Sequence, residues 1–357
     1  MSKENGKRTQ GVREIAKRAN VAIATVDRVI HNRPGVSQKT KDRIMKIIHE
    51  INYQPNLLAR TLASRRDLHF AILIPHVSDE SDYWQAPLLG IEKAEVELKP
   101  FGITIDKYFF DQNDIRSFIS QAKLVLRKKV NGLVLAPFFI EESINLISSC
   151  KKKDIPFVFI NSDIPDQESL CYIGPDLFQS GYLAGHLMKY WVKDSGKVLI
   201  TNVSKEIKNY HYNRLLRKEN GFRAYFERND LRNEIIKIDI TKTDNRSIEN
   251  AIETCFNSNP DISAVFVTNS RIASVAQYLE KSGMKKVFMV GYDYLDDNLE
   301  YLKKGYIDFL ICHKPQVQGY KSIMTLYQNI VLGSNTNHEF FMPIDIVCRS
   351  NYGLYRN

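Results

Sequence analysis

A chain of 357 residues, 43% hydrophobic and 25% charged, is long enough for one small module and a larger two-lobed one, with the composition of a soluble globular protein. No run of 18 apolar residues occurs, which excludes a membrane-spanning helix, and the polar start Met1-Ser2-Lys3-Glu4-Asn5-Gly6-Lys7-Arg8 lacks the apolar core of a secretory signal, so a cytoplasmic location is expected. The net charge of +9 is lopsided: residues 1–66 carry 15 Lys/Arg against 5 Asp/Glu, and the remainder 35 against 36. Such asymmetry describes a polyanion-binding arm on a nearly neutral body.

In chain order, the spacing of Val12, Ile15, Ala16 and Ala19 predicts a short helix over 12–20, broken by Asn20-Val21. A second helix is predicted over 22–30. Val26, Val29 and Ile30 form its inner face, and Ile23, Ala24, Asp27 and Arg28 point outward. The run His31-Asn32-Arg33-Pro34-Gly35 is turn chemistry. Ser37 then caps a third helix over 38–51, with apolar positions Ile44, Ile47, Ile48 and Ile51. Three short helices with a tight turn between the first two make a helix-turn-helix, a motif that seats one helix in the DNA major groove.

From Leu68 onward, apolar runs suited to buried parallel strands occupy 70–74, 132–136, 157–160, 198–201, 264–268 and 287–291. Helical periodicity fills the gaps, as in Ile115, Phe118, Ile119, Ala122, Val125 and Leu126, or Ile248, Ala251, Ile252, Cys255 and Phe256. Alternation of this kind predicts α/β lobes with parallel sheets. The unit restarts near Cys171-Tyr172-Ile173-Gly174-Pro175-Asp176, which marks a second similar lobe. Cys150, Cys171, Cys255, Cys312 and Cys348 are scattered and form no C-x-x-C pair, so neither a zinc site nor a disulfide framework is indicated. Lys151-Lys152-Lys153 reads as a solvated helix end. With no P-loop, H-E-x-x-H or G-x-S-x-G, no enzymatic activity, metal or cofactor is expected.

Residues 12–32, then Val36-Ser37-x-x-Thr40, then 51–63 beginning Ile51-Asn52-Tyr53-Gln54-Pro55-Asn56, closely resemble the lactose/galactose-repressor (LacI/GalR) family of transcriptional regulators. The match is continuous from about Val12 to Ser64, with three signatures in the family's order and spacing. The resemblance implies that Ile23, Ala24 and Arg28 face base edges, Arg28 donating to guanine and the other two packing on thymine methyls. Thr25 and Asn32 become phosphate contacts. Two departures stand out: Ala22 replaces the usual serine that starts the recognition helix, and Asp27 replaces a serine or threonine. Asp27 then either orients Arg28 or accepts from a cytosine N4. Segment 56–63 matches the family's hinge helix, in which Leu62 wedges into the minor groove beside Ala59, Asn56 anchors the start and Arg60 supplies phosphate charge.

The resemblance further implies an α plus α/β chain. Residues 1–55 form the helix-turn-helix domain, 56–66 the hinge and linker, and 67–357 two Rossmann-like lobes of the periplasmic-sugar-binding-protein type. The expected partners are double-stranded DNA with a pseudo-palindromic operator, a second copy of the chain, and a small effector of the sugar class; no membrane partner is expected. Candidate effector contacts follow strands. Tyr83 and Trp84 either stack on a sugar ring or fill the lobe edge, and Asp176 either meets the ligand or caps a helix over 177–190. The family's arginine three residues before Gly-Phe falls at Lys218; Arg217 beside it is the expected contact, with a solvated helix face as the alternative. Asp293 in Val290-Gly291-Tyr292-Asp293 accepts from hydroxyls or makes a turn, and Asn269 holds another commonly used position. His313 stands where relatives carry glutamine, as a substitute donor or a turn residue. A regulator whose cleft senses a non-sugar or protein partner, and a solute-binding protein without a regulatory role, are the alternatives.

Overall fold

The computed structural model describes residues 12–30, 34–51, 67–78, 82–192, 196–205, 214–284 and 287–357. These fall into a helical body within 12–51 and an α/β body within 67–357.

In the helical body, α1 (Val12–Ala19), α2 (Ile23–Ile30) and α3 (Gln38–Glu50) close on Ile15, Ala19, Val26, Val29, Ile44 and Ile47. The apolar spacing read along the sequence is therefore the spacing that packs. Asn20, between α1 and α2, sits in the left-handed region at φ 49°, which asparagine tolerates better than most residues. Ser37 caps α3, its hydroxyl accepting from the Thr40 N–H at 3.4 Å.

The α/β body holds two six-stranded sheets. In the first, ordered β11-β5-β4-β3-β1-β2, all neighbours are parallel: β1 Leu68–Pro75, β2 Ile103–Phe110, β3 Gly132–Leu135, β4 Phe157–Ile160, β5 Cys171–Gly174 and β11 Glu339–Phe341. The second repeats that order as β12-β10-β9-β8-β6-β7: β6 Lys197–Val203, β7 Ile235–Ile240, β8 Ile262–Val267, β9 Phe288–Tyr292, β10 Phe309–Cys312 and an antiparallel β12, Asp345–Val347. Helices α4 (Gln85–Leu98), α5 (Ile115–Arg127) and α6 (Ile140–Lys152) cover the first sheet; α8 (Arg214–Arg228), α9 (Asn245–Ser258), α10 (Ile272–Lys281) and α11 (Asp296–Lys304) cover the second.

The chain changes lobe three times. After β5 it enters α7 (Leu177–Lys189), whose Ala184 and Met188 join the second core. After β10 it returns through α12 (Pro315–Ile330), whose Ile323, Leu326 and Tyr327 complete the first core. The last passage runs from β11 to β12. Cys171–Gly174, the expected start of the second lobe, is thus a strand of the first sheet, and the second lobe begins one turn later, at α7.

Each lobe contains one very close helix crossing. In the second lobe, a Cβ on Gly181 of α7 would fall 1.8 Å from the Lys218 carbonyl oxygen, and one on Gly221 of α8 would fall 1.9 Å from that of Phe178. In the first, Gly90 of α4 and Gly319 of α12 are equally tight against Gln316 and Pro87. Glycine is required here by backbone approach, not by dihedral angle.

Candidate functional site

A cleft of about 790 Å³, open solvent at its mouth included, lies between the lobes of the α/β body. Its walls come from loops at the carboxyl ends of strands, where open α/β sheets bind ligands. The first lobe contributes Tyr83 and Trp84 after β1, Gln112 and Asn113 after β2, Phe138 after β3 and Asn161 after β4. From the second come Ser204 after β6, Thr243 after β7, Asn269 and Arg271 after β8 and Asp293 after β9. His313 enters from the β10–α12 passage, and Arg214 and Lys218 from the first turns of α8.

Two lining residues follow strands at equivalent positions in the two sheets and share an uncommon backbone. Asn161 after β4 has φ 69° and Asp293 after β9 has φ 75°. The surroundings fix both turns. The Tyr83 hydroxyl donates to Asn161 Oδ1 at 3.0 Å, and buried Asn298 donates to the carbonyls of Tyr292 and Asp293, each at 3.0 Å. Left-handed non-glycine residues held this firmly concentrate at functional sites.

Lys218 is almost fully buried. Its ammonium donates to the Thr268 carbonyl at 3.0 Å and lies 3.5 Å from the centre of the Tyr292 ring. Desolvation depresses its pKa, against the attraction of Asp293, and Arg214 depresses it further. Asp293 is pushed upward, again first by desolvation, with Lys218 and Arg214 opposing. Behind Lys218, Thr268 donates to Asn202 Oδ1, and Asn202 in turn donates to Glu219 and Asp239. Ser180 Oγ lies 2.8 Å from His313 Nε2 and donates to the Tyr292 hydroxyl at 3.2 Å. Burial and the Lys218 charge hold the His313 imidazole well below its ordinary pKa, so it is neutral at pH 7.

Of the residues singled out from the sequence, Tyr83, Trp84, Asn269, Asp293 and His313 meet in this cleft. Trp84 is also core, packed edge-on against Tyr83 and Phe138. The Asn269 side-chain amide donates to the Val203 carbonyl at 2.6 Å. Asp176 does not line the cleft; it caps α7, accepting from the Gln179 N–H at 2.9 Å. Arg217, the expected contact, does not line the cleft either. Its guanidinium leaves the cleft and pairs with Asp163 of the opposite lobe, while Lys218 takes the inward position. Adjacent helical residues point about 100° apart, whereas Arg214 and Lys218, four apart, share a face. Spacing could have found this pair; the preference for an arginine obscured it. Gln112, Asn113, Phe138 and Asn161 were missed; position after a readable strand was the one signal for Phe138 and Asn161, and Gln112 and Asn113 follow β2, which the sequence did not reveal.

Contacts that bridge the lobes include Arg217 with Asp163 and the Arg214 guanidinium 4.0 Å from the centre of the Phe138 ring. Asp163→Asn is expected to change unfolding stability by less than about 1 kcal/mol, because the pair is partly solvated. The ligand-free lobes should nevertheless open, measured as a larger radius of gyration in solution scattering; an unchanged radius would deny the pair a role in closure.

In the helical body, Ile23, Ala24 and Arg28 are exposed on α2, with Thr25 and Asp27 half-buried beside them. Asn32, Asn56, Ala59, Arg60 and Leu62 lie outside the described residues. Among the described residues, no helix is long and apolar enough to cross a membrane, and no His/Cys/Asp/Glu group is arranged to hold a metal ion.

Comparison with known proteins matches residues 12–56 to the bacterial regulatory proteins of the lacI family and residues 70–334 to a periplasmic binding protein domain. The NTD biosynthesis operon regulator NtdR of Bacillus subtilis is 26% identical over 239 residues, 61% of this chain and 70% of that one. The HTH-type transcriptional regulator MalR of Streptococcus pneumoniae is 29% identical over 189 residues, 52% of this chain and about half (54%) of its own length. A crystal structure of a putative LacI transcriptional regulator from Bacteroides fragilis superposes with a TM-score of 0.76 at 25% identity, covering 82% of this chain and 100% of that one. With both segments matched in order, the chain belongs to the lacI family of bacterial regulatory proteins and carries a periplasmic-binding-protein domain behind its helix-turn-helix.

Proposed function

We propose that this protein regulates transcription by binding a pseudo-palindromic operator as a two-fold dimer, and that a sugar or sugar derivative held between the lobes sets its affinity for DNA. The observation that carries the sensing half is Asp293. Its carboxylate faces the cleft on a fixed left-handed turn and has no side-chain hydrogen bond or ion pair among the described residues, so its acceptor capacity is left for a ligand's hydroxyls. Amides and hydroxyls around it, with Tyr83, Trp84 and Phe138 as aromatic walls, supply the mixed polar and apolar lining that a polyol needs. The DNA half rests on the outward face of α2, where Arg28 is exposed and unpaired among the described residues. Two such helices in a symmetric dimer read half-sites about one helical turn or a multiple apart. The ligand then acts through its different affinity for open and closed lobes.

The test is selection from random duplexes at fixed salt by the full-length protein, with and without a panel of sugars. A two-fold-symmetric site whose affinity one sugar shifts is the expected result. Arg28→Ala should then relax preference at one base position of each half-site, at a cost of about 1–3 kcal/mol. A symmetric site indifferent to every sugar would remove the sensing half, and binding without sequence preference would remove the whole reading.

A further inference from the structure

The charges lining the cleft are unequal. Among the described lining residues, Arg214, Lys218 and Arg271 are basic and Asp293 alone is acidic. Lys218 is the informative one. It is more than nine-tenths buried, its described partners are one carbonyl oxygen and one aromatic ring, and among the described residues no carboxylate pairs with it. Burying an ammonium without a counterion is costly, and a neutral side chain of similar size would fill the same space without that cost. The groups facing it are Asp293, Arg214, neutral His313 and the Tyr292 ring. The single carboxylate among them sits in the field of Arg214 as well. Asp82 lies in the adjoining hollow, behind Tyr83, Asp293 and His313, and its own ionisation is disfavoured by burial and by Asp296 and Asp297.

We propose that the effector is a hydroxylated anion, a sugar carrying a carboxylate or a phosphate ester, whose acidic group is received by Lys218 and Arg214 while its hydroxyls donate to Asp293. This rests on the sugar-sensing reading above and narrows it. Recognition divides between two neighbouring groups on the second-lobe wall: a charge-assisted contact at the α8 face and polyol contacts at the β9 turn. Binding restores a counterion to Lys218, so the complex takes up a proton wherever free Lys218 is partly deprotonated.

The experiment is calorimetric titration of the full-length protein at pH 7 with matched pairs: D-galacturonate against D-galactose, D-gluconate against D-glucose, and D-glucose 6-phosphate against D-glucose, with inorganic phosphate alone as a further probe. In the pair that fits, the acidic member should bind at least about tenfold tighter. Its heat should vary with the buffer's ionisation enthalpy, reporting proton uptake, and Lys218→Met should abolish both the preference and the uptake. Carboxylate and phosphate arms identify which acid is used. A neutral member binding as tightly as its acid would overturn the proposal and leave the sugar reading standing, as would a preference that survives Lys218→Met. Inorganic phosphate binding as tightly as the ester would overturn the polyol half. Binding by no member would remove the sugar reading and the proposal together.

Discussion

Gly221→Ala is expected to lower the stability of the α/β body by about 3 kcal/mol, and Gly181→Ala by a similar amount. Overpacking usually finds relief in a rotamer change, but here the obstacle is backbone. A Cβ at Gly221 meets the Phe178 carbonyl at 1.9 Å, and one at Gly181 meets the Lys218 carbonyl at 1.8 Å. The helices α7 and α8 must therefore separate, and Phe222, Tyr225 and Met188, all buried at that contact, lose packing with them. Urea unfolding followed by circular dichroism measures the loss. Gly181→Ala carries a second consequence, because the backbone it displaces carries Lys218: ligand affinity should fall more in this variant than in Gly90→Ala, the corresponding change in the first lobe. An unchanged unfolding midpoint in Gly221→Ala would mean that the helices do not cross this closely in solution.

That crossing also shows which parts of the structure were legible in the sequence. Buried parallel strands such as β4 are continuous apolar runs, and the span read for it, 157–160, coincides with the one observed. Edge strands escaped detection. β2 interrupts its apolar residues with Asp106 and Lys107, and β7 with Lys237 and Asp239, as strands with one solvated side do. The three-residue β11 and β12 are too short for any periodicity to register. The cleft was half legible for a related reason. Asp293 and Asn269 follow strands that could be seen, whereas Gln112 follows β2, which could not. For α8 the motif offset indicated Lys218 and the chemistry of relatives indicated an arginine; the helix obeys the offset, and Arg217 turns to Asp163.

Lys218→Met should stabilise the ligand-free protein by about 2 kcal/mol near neutral pH, the usual order when a poorly compensated buried charge gives way to an apolar side chain. The sign follows from the directions of two shifts. Desolvation outweighs Asp293 in depressing Lys218, and it outweighs Lys218 in raising Asp293, so neither group recovers in mutual attraction what burial costs it. Because the folded-state pKa of Lys218 lies below its unfolded value, the unfolded chain binds more protons between the two. The wild type should accordingly gain stability as pH rises from neutrality toward the unfolded lysine pKa of about 10.4. Lys218→Met should lack that gain, so its advantage shrinks with alkalinity. Chemical unfolding at a series of pH values tests this; a variant less stable than wild type at every pH would show that the Lys218–Asp293 attraction dominates. Keeping a destabilising lysine in the cleft is the trade of stability for function common at binding sites.

The three passages between lobes bear on how the chain comes off the ribosome. The first sheet cannot be finished from its own stretch of sequence, because α12 supplies Ile323, Leu326 and Tyr327 to its core and β11 its outer edge. Gly132 of β3 rests directly on Leu326 and Ile330. Until residue 341 has emerged, β3, β4 and β5 present an uncovered apolar face for the time needed to make the second lobe and α12, about 8–33 seconds at ordinary elongation rates. Non-local closure of this kind is slow, and exposed sheet faces associate. Truncations that remove α12 should therefore aggregate instead of yielding an isolated first lobe, as centrifugation of the expressed fragment would show.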